Sequence, residues 1–178
     1  MNIEKKKGLQ IPPLQVQSCI PASGVNMSTQ EIYHYIKIND HLITGGQPTA
    51  EQLQAAAAEG FEVVINLATE RSTPTLKDEA EVVRALGMAY YPIPVEWEQP
   101  KESDFWAFEA VMRQVGKRKT LLHCAANFRV TAFYSLYAQK NLGWTEAQAE
   151  AFRAPIWQGS NDPVWENFIA EMRKKLNR

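Results

Sequence analysis

KTLLHCAANFRVT, residues 119–131, places a cysteine between a strand pattern and a helix pattern. The apolar run that ends at His123 is typical of a buried strand, and the residues from Val130 onward repeat apolar side chains at helical spacing. Cys124 is therefore predicted to lie at a turn that faces the N-terminus of a helix. Unpaired backbone N–H groups and the helix dipole attract anions there, and the same field favours the thiolate over the thiol.

The chemistry of this turn depends on an arginine, Arg129, which follows the cysteine by five positions. The turn then supplies a nucleophile, backbone amides that hold an oxyanion, and a fixed positive charge. These parts suit attack on a phosphate ester through a cysteinyl-phosphate intermediate. We predict that Cys124 and Arg129 are catalytic. The amides predicted to bind the phosphate are those of Ala125, Ala126, Asn127, Phe128 and Val130.

This turn resembles the signature loop of the cysteine-dependent protein tyrosine and dual-specificity phosphatases, in which His-Cys is followed by five variable residues, Arg, and then Ser or Thr. His123, Cys124 and Thr131 match this pattern. Arg129 comes one position early, and Val130 occupies the usual arginine position. Either the loop is one residue shorter, or Arg129 reaches the anion from a neighbouring position. A shorter cysteine loop resembles that of rhodanese-type sulfurtransferases.

A second motif lies earlier in the chain. HLITGGQPT at residues 41–49 precedes a predicted helix, and FEVVINL at 61–67 follows that helix. Together with the cysteine turn, these stretches are similar to the bacterial phosphatase-like family named after the β-lactamase hydrolase-like proteins, over about residues 35–143. The resemblance implies a three-layer α/β/α fold of the protein tyrosine phosphatase type, with a largely parallel central sheet.

Three further residues have both a functional and a plainer interpretation. The resemblance implies that His123 hydrogen-bonds the cysteine loop, and that the Thr131 hydroxyl stabilises the thiolate as it leaves the phosphocysteine. From the sequence alone, His123 equally fills space in a strand, and Thr131 is an ordinary helix residue. Gln47 either orients water or the anion, or is a turn residue. We predict a supporting role in the site for all three.

A general acid is also required, because the leaving oxygen must be protonated. The resembling families place an aspartate on the loop after the strand that precedes the signature strand. Here that loop is 96–100 and contains no aspartate; Asp104 lies in the next predicted helix. Glu96 and Glu98 are the available acids, and we favour Glu96. The alternative is that both are solvated loop carboxylates.

The order of strand and helix patterns predicts the architecture. Strand patterns occur at 35–38, 41–43, 61–67, 88–95 and 119–123. Helix patterns occur at 49–59, 76–86, 103–115, 130–141, 145–152 and 163–175. Strands that alternate with helices at this spacing form a sheet that is parallel in its central part. The loops at 45–46, 68–71, 96–98 and 124–127 then lie on one edge, where such sheets bind ligands.

Composition limits the class of protein. The 178 residues are 45% hydrophobic, which suits one globular domain, predicted at 29–178 after an extension at 1–28. Nineteen Lys and Arg against twenty Asp and Glu give no indication of nucleic-acid binding. No apolar run approaches the length of a membrane span, and the three histidines have no ligand spacing for a metal. We expect a cytoplasmic protein without membrane association, metal or cofactor.

The two cysteines, Cys19 and Cys124, form no disulfide framework, although a bond between them is formally possible. A working thiolate at Cys124 requires a reducing compartment. We interpret the chain as a metal-independent phosphomonoester hydrolase that acts on a phosphorylated protein or small molecule. A sulfurtransferase or persulfide carrier and a non-catalytic phosphate-binding module are the alternatives. The substrate and the oligomeric state stay open.

Overall fold

The structure is a computed structural model that describes residues 27–178, so Cys19 and nearly all of the extension predicted at 1–28 lie outside the described residues. A 3₁₀ turn at Thr29–Glu31 begins the described part. The strands are β1 Ile36–Asn39, β2 Leu42–Gly45, β3 Val63–Asn66, β4 Ala89–Pro92 and β5 Thr120–His123. The helices are α1 Ala50–Ala58, α2 Glu79–Ala85, α3 Glu102–Val115, α4 Phe128–Asn141, α5 Glu146–Trp157 and α6 Pro163–Leu176.

The sheet has the strand order β1-β2-β5-β3-β4. Only the β1–β2 pair at one edge is antiparallel, as the hairpin signal Asn39-Asp40 predicts. The pairs β2–β5, β5–β3 and β3–β4 are parallel, because each of these connections contains at least one helix. The predicted parallel central sheet is confirmed.

The register aligns the carboxyl ends of the four parallel strands. Gly45 of β2 lies opposite His123 of β5, His123 lies opposite Asn66 of β3, and Asn66 lies opposite Pro92 of β4. The loops that follow these strands therefore begin on one line across the sheet. This arrangement confirms that the loops after Gly45, after Asn66, after Pro92 and after His123 share one edge.

Alternation of side chains along the buried strands produces the three layers. In β3, Val63 and Ile65 belong to the core on the side of α3, α4 and α6, whereas Val64 belongs to the core on the side of α1 and α2. In β5, Leu122 and Leu121 divide between the same two cores. All five side chains are completely buried. The predicted α/β/α fold class is confirmed, and the period of two in a strand explains it.

Several element boundaries differ from the prediction. Helix α2 begins at Glu79 rather than near residue 76, because Asp78 adopts a left-handed conformation with φ 57. Strand β4 ends at Pro92, since proline cannot donate to the ladder. Helix α4 begins at Phe128, two residues before the predicted start, so Arg129 is already helical.

Helix α5 continues to Trp157, although its pattern predicts an end at 152 and Pro155 lies inside the last turn. Proline in that position removes one helical hydrogen bond. Beyond the proline, Ile156 is buried and Trp157 stacks on Trp97. This packing keeps the last turn helical, because apolar burial offsets the missing bond.

Candidate active site

The turn that carries Cys124 is short. Cys124, Ala125, Ala126 and Asn127 connect β5 to α4, and Phe128 is already the first helical residue. Asn127 takes the sharp reversal with φ 67, a conformation that asparagine tolerates better than most residues. The Cys124 side chain is 1% exposed and contacts the larger core. The thiol thus lies at the bottom of the turn rather than on its surface.

The N-terminus of α4 lacks the side-chain cap that α1, α5 and α6 have. Thr49, Thr145 and Asp162 each accept hydrogen bonds from the first turn of α1, α5 and α6. The cap residue of α4, Asn127, makes no such bond and instead donates its amide to His34 O at 2.7 Å and Thr44 Oγ1 at 3.0 Å. The first N–H groups of α4 therefore remain available to an anion.

The carbonyl groups of the turn are held from outside. Cys124 O lies 3.1 Å from Nδ1 of His123, and Ala125 O accepts the Gln47 N–H at 3.0 Å. Because a trans peptide directs its N–H opposite to its C=O, the N–H groups of Ala125 and Ala126 point away from these partners. Among residues 27–178, neither N–H has a hydrogen-bond acceptor. The N–H groups of Ala125 and Ala126 thus add two donors to those at the N-terminus of α4.

Arg129 lies at the rim of this turn and Val130 does not. The Arg129 side chain is 7% exposed, and both of its terminal nitrogens lie 3.3 Å from Ser72 Oγ. Val130 is completely buried in the core. Burial lowers the pKa of Arg129, and the negative charges of Cys124, Glu96 and Glu98 act in the opposite direction. The guanidinium therefore lies within electrostatic range of all three groups.

Phe128 and Trp97 form part of an aromatic cluster on the same side as Arg129. Phe128 contacts the rings of Trp97 and Trp157 at 6.1 and 5.0 Å between ring centres. The Trp97 carbonyl accepts the indole N–H of Trp165 at 2.9 Å. The guanidinium carbon of Arg129 lies 5.7 Å from the centre of the Trp97 ring. The cluster anchors the loop that carries both candidate acids.

The two candidate acids lie on either side of Trp97 and differ in their contacts. Glu96 accepts a hydrogen bond from Arg71 Nη2 at 2.8 Å across to the neighbouring loop. Glu98 is exposed and makes no hydrogen bond or ion pair within the described part of the chain. Glu96 also has the larger electrostatic effect on Arg129. Of the two, Glu96 is the more closely integrated with the site.

Beneath the turn lies a buried carboxylate, Glu79, which the sequence analysis did not identify. Its Oε1 accepts the Gln47 amide at 2.5 Å. Its Oε2 accepts the Asn66 amide at 2.8 Å and the Tyr90 hydroxyl at 2.8 Å, and lies 3.1 Å from His123 Nε2. Burial acts to raise the pKa of Glu79, but the bond to His123, its charge, and the bonds from Tyr90 and Gln47 leave that pKa below its ordinary value.

The three predicted supporting residues take different positions. His123 is fully buried and contacts both the cysteine turn and Glu79. Gln47 directs its amide to Glu79 and to Pro48 O. The Thr131 hydroxyl donates to Asn127 O at 2.8 Å and accepts the Trp157 indole N–H at 3.1 Å. Any effect of Thr131 on the thiolate stays a prediction.

Two other findings bear on the predicted ligands. Within residues 27–178, no three His, Cys, Asp or Glu side chains form a group that could hold a metal ion. No helix of the described part is both long enough and apolar enough to cross a membrane.

Comparison with proteins of known sequence gives partial matches. No family model matches the chain. A β-lactamase hydrolase-like protein of Xylella fastidiosa is 29% identical over 104 residues, and one of Agrobacterium fabrum is 30% identical over the same length. These matches cover 57% of this chain but only 24% of each relative. The chain thus corresponds to about a quarter of the length of these relatives.

Comparison with solved structures extends over most of the chain. A DUF442 protein of Shewanella putrefaciens CN-32, described as a candidate phosphatase, is 34% identical with a TM-score of 0.75. The match covers 85% of this chain and 97% of that protein. The core catalytic domain of the Saccharomyces cerevisiae PP-IP phosphatase Siw14 has a TM-score of 0.63 at 10% identity, covering 82% of this chain and 92% of that domain. At that identity, the second likeness concerns the fold alone.

Gly46 is expected to be essential for the shape of the cysteine turn. A Cβ atom at this position would lie 2.8 Å from Ala125 O and 3.2 Å from the Tyr33 ring. Gly46→Ala should displace the turn and destabilise the protein by about 1–3 kcal/mol. It should also reduce the rise in Tm that added inorganic phosphate produces, because the amides move. Differential scanning fluorimetry with and without phosphate measures both effects.

The matched control is Gly116→Ala at the end of α3. A Cβ atom there meets no neighbour within 4 Å, although φ is 57. This variant should lose some stability through backbone strain and keep the full response to phosphate. An undiminished phosphate response in Gly46→Ala would contradict the assigned role of Gly46.

Proposed function

The chain belongs to the DUF442 family of phosphatase-like proteins, and on that premise we propose that it is a cysteine-dependent phosphomonoester hydrolase. One observation carries the proposal: Cys124 and Arg129 flank a helix N-terminus whose first amides have no hydrogen-bond acceptor within residues 27–178, and the charge of Cys124 acts on the Arg129 guanidinium. An anion at this place receives both hydrogen bonds and a positive charge. Such preorganised donors stabilise a phosphoryl group during transfer.

In the first step, the Cys124 thiolate attacks phosphorus and forms the S–P bond. The P–O bond to the leaving group breaks, and its electron pair passes to the leaving oxygen. The amides of Ala125 and Ala126, those of the first turn of α4, and the Arg129 guanidinium hold the equatorial oxygens. Ser72 supports this geometry, since its hydroxyl oxygen contacts both terminal nitrogens of Arg129.

In the second step, water replaces the cysteine. We assign Glu96 as the acid that protonates the leaving oxygen and as the base that then removes a proton from water. The S–P bond breaks, its electron pair returns to sulfur, and inorganic phosphate forms. No metal ion takes part in this sequence, because the chain supplies the nucleophile, the positive charge and the proton donor.

A sulfurtransferase is the second candidate, and the short turn favours it. Only three residues separate Cys124 from α4, and Arg129 lies in the first helical turn. In this reaction the Cys124 thiolate takes the outer sulfur of thiosulfate and releases sulfite. Cyanide then removes that sulfur as thiocyanate and regenerates the thiolate. Glu96 favours the phosphatase over this candidate, because its charge acts on Arg129 and sulfur transfer has no use for a general acid.

We expect the protein to hydrolyse aryl phosphates in the presence of EDTA, and we expect Cys124→Ser to abolish this activity. The reason is that the serine hydroxyl stays neutral, and so a poor nucleophile, at pH values where a cysteine in this turn is a thiolate. Release of phosphate from p-nitrophenyl phosphate measures the activity of both proteins. Rapid thiocyanate formation from thiosulfate and cyanide without phosphatase activity would select the second candidate. Phosphate binding without either activity would indicate a binding module.

Arg129→Ala should weaken phosphate binding and lower kcat together. A charge-assisted contact contributes about 1.5–3 kcal/mol, so the loss should be at least roughly tenfold in each. Arg129→Lys should restore little, because an ammonium group does not provide the planar pair of donors. Steady-state kinetics and phosphate titration test this. Wild-type kinetics in both variants would remove Arg129 from the site.

The assignment of Glu96 is tested by the leaving group. Glu96→Gln should lower kcat for phenyl phosphate by about a hundredfold, since its leaving oxygen needs a proton. The loss should be much smaller for p-nitrophenyl phosphate, whose phenolate leaves readily. Glu98→Gln on the same loop is the matched control and should retain activity with both substrates. The reverse result would assign the role to Glu98.

A further inference from the structure

We propose that Glu79 is a positioning residue that keeps protons on both ring nitrogens of His123, and that the resulting imidazolium favours the Cys124 thiolate. His123 Nδ1 lies 3.1 Å from Cys124 O, and Nε2 lies 3.1 Å from Glu79 Oε2. A carbonyl oxygen only accepts, and so does an ionised carboxylate. With Glu79 ionised, both contacts are hydrogen bonds only if the ring carries two protons.

The hydrogen bonds around Glu79 favour its ionised form. Asn66 Oδ1 accepts the Ala68 N–H at 2.8 Å, which fixes the orientation of the amide and directs its nitrogen to Glu79 and to Tyr90. Because the Tyr90 oxygen accepts from Asn66, the Tyr90 proton is directed to Glu79. Asn66 and Tyr90 thus present hydrogens to the carboxylate.

Gln47 completes the set. Its amide nitrogen donates to Pro48 O at 3.1 Å and to Glu79 Oε1 at 2.5 Å, and Pro48 O is only an acceptor. Gln47, Asn66 and Tyr90 are therefore all fixed as donors to the Glu79 oxygens. These donors stabilise the carboxylate and leave His123 Nε2 as the one neighbour that could accept a hydrogen from the neutral acid.

Other charged and titratable groups reinforce this state. Burial raises the pKa of Tyr90, and the Glu79 charge raises it further, so the Tyr90 hydroxyl stays a donor. Arg84 on α2 acts in the opposite direction, but the pKa of Tyr90 stays raised. Beyond the Cys124 peptide, the charge of Cys124 acts on Arg129. His123 thus lies between a fixed anion and the place where the thiolate forms.

The ion pair of Glu79 and His123 has its positive end nearer to Cys124. Its negative end, Glu79, is held at the far side of the ring, and its positive end contacts the peptide of Cys124. An opposite charge within a few ångströms favours the ionised form of a neighbouring group. The pair therefore adds to the field of the α4 dipole at the sulfur. The catalytic meaning of this effect rests on the proposed hydrolysis, but the effect itself is measurable on the thiol alone.

The test is the pH dependence of Cys124 alkylation by iodoacetamide in the full chain, followed by mass spectrometry of the Cys124 peptide, which separates it from Cys19. Glu79→Gln should slow alkylation about tenfold below neutral pH, and the rates should converge in alkaline solution, where the thiol ionises without help. Glu109→Gln is the matched control, because Glu109 is equally buried but pairs with Arg113 and Lys140.

Two further measurements separate this role from a structural one. NMR of the histidine ring nitrogens should show two protonated nitrogens for His123 in the wild type near neutral pH, and one in Glu79→Gln. His123→Asn should slow alkylation similarly, and the double variant should match His123→Asn, because Glu79 acts through His123. If Glu79→Gln does not fold, Tyr90→Phe should produce a smaller slowing with the same pH dependence.

Three results would overturn the proposal: an unchanged alkylation profile in Glu79→Gln, a slowing that is uniform at all pH values, or a singly protonated His123 ring in the wild type. A uniform slowing would mean that Glu79 merely holds the turn in place. A wild-type protein that lacks phosphatase activity but gives the expected alkylation and NMR results would refute the proposed function and leave this inference intact.

Discussion

The structure depends on one buried carboxylate that connects all four parallel strands. Glu79 contacts His123 of β5, Asn66 of β3 and Tyr90 of β4, and it reaches the β2 side of the sheet through Gln47 in the loop after that strand. Removal of one partner from a buried ion pair typically costs about 3–5 kcal/mol. The carboxyl edge of the sheet is therefore held by a polar network in addition to the apolar cores on its two faces.

That constraint determines what the cysteine turn can do. With the end of β5 fixed, only four residues connect the strand to α4, and their carbonyl groups are held on the outer side. The N–H groups of Ala125 and Ala126, and those of the first turn of α4, then have no acceptor within the described chain. The hydrogen-bonding capacity of the turn therefore lies in backbone donors rather than in side chains.

The sequence predicted the local parts of this site and missed the distant ones. Cys124 and Arg129 were identifiable because a cysteine between a strand and a helix is a pattern within one short stretch. Glu79 and Ser72 were not, since they lie 44 residues from His123 and 57 residues from Arg129 along the chain. Glu79 sits in a helix pattern where an acid in the first turn normally faces solvent, and no local signal distinguishes it.

The end of α5 is a second feature that depends on residues far apart in the sequence, and here the contacts are apolar. Pro155 signals a helix end, yet the helix continues because Trp157 packs on Trp97 and Phe128. This contact joins the end of α5 to the loop of Glu96 and to the first residue of α4. The aromatic cluster thus sets the position of the acid loop, while the Glu79 network sets that of the cysteine turn. Arg129 lies between the two, over the Trp97 ring and within electrostatic range of Cys124. The loop of Glu96 and the turn of Cys124 are thus held by different kinds of contact, aromatic packing for the first and buried hydrogen bonds for the second.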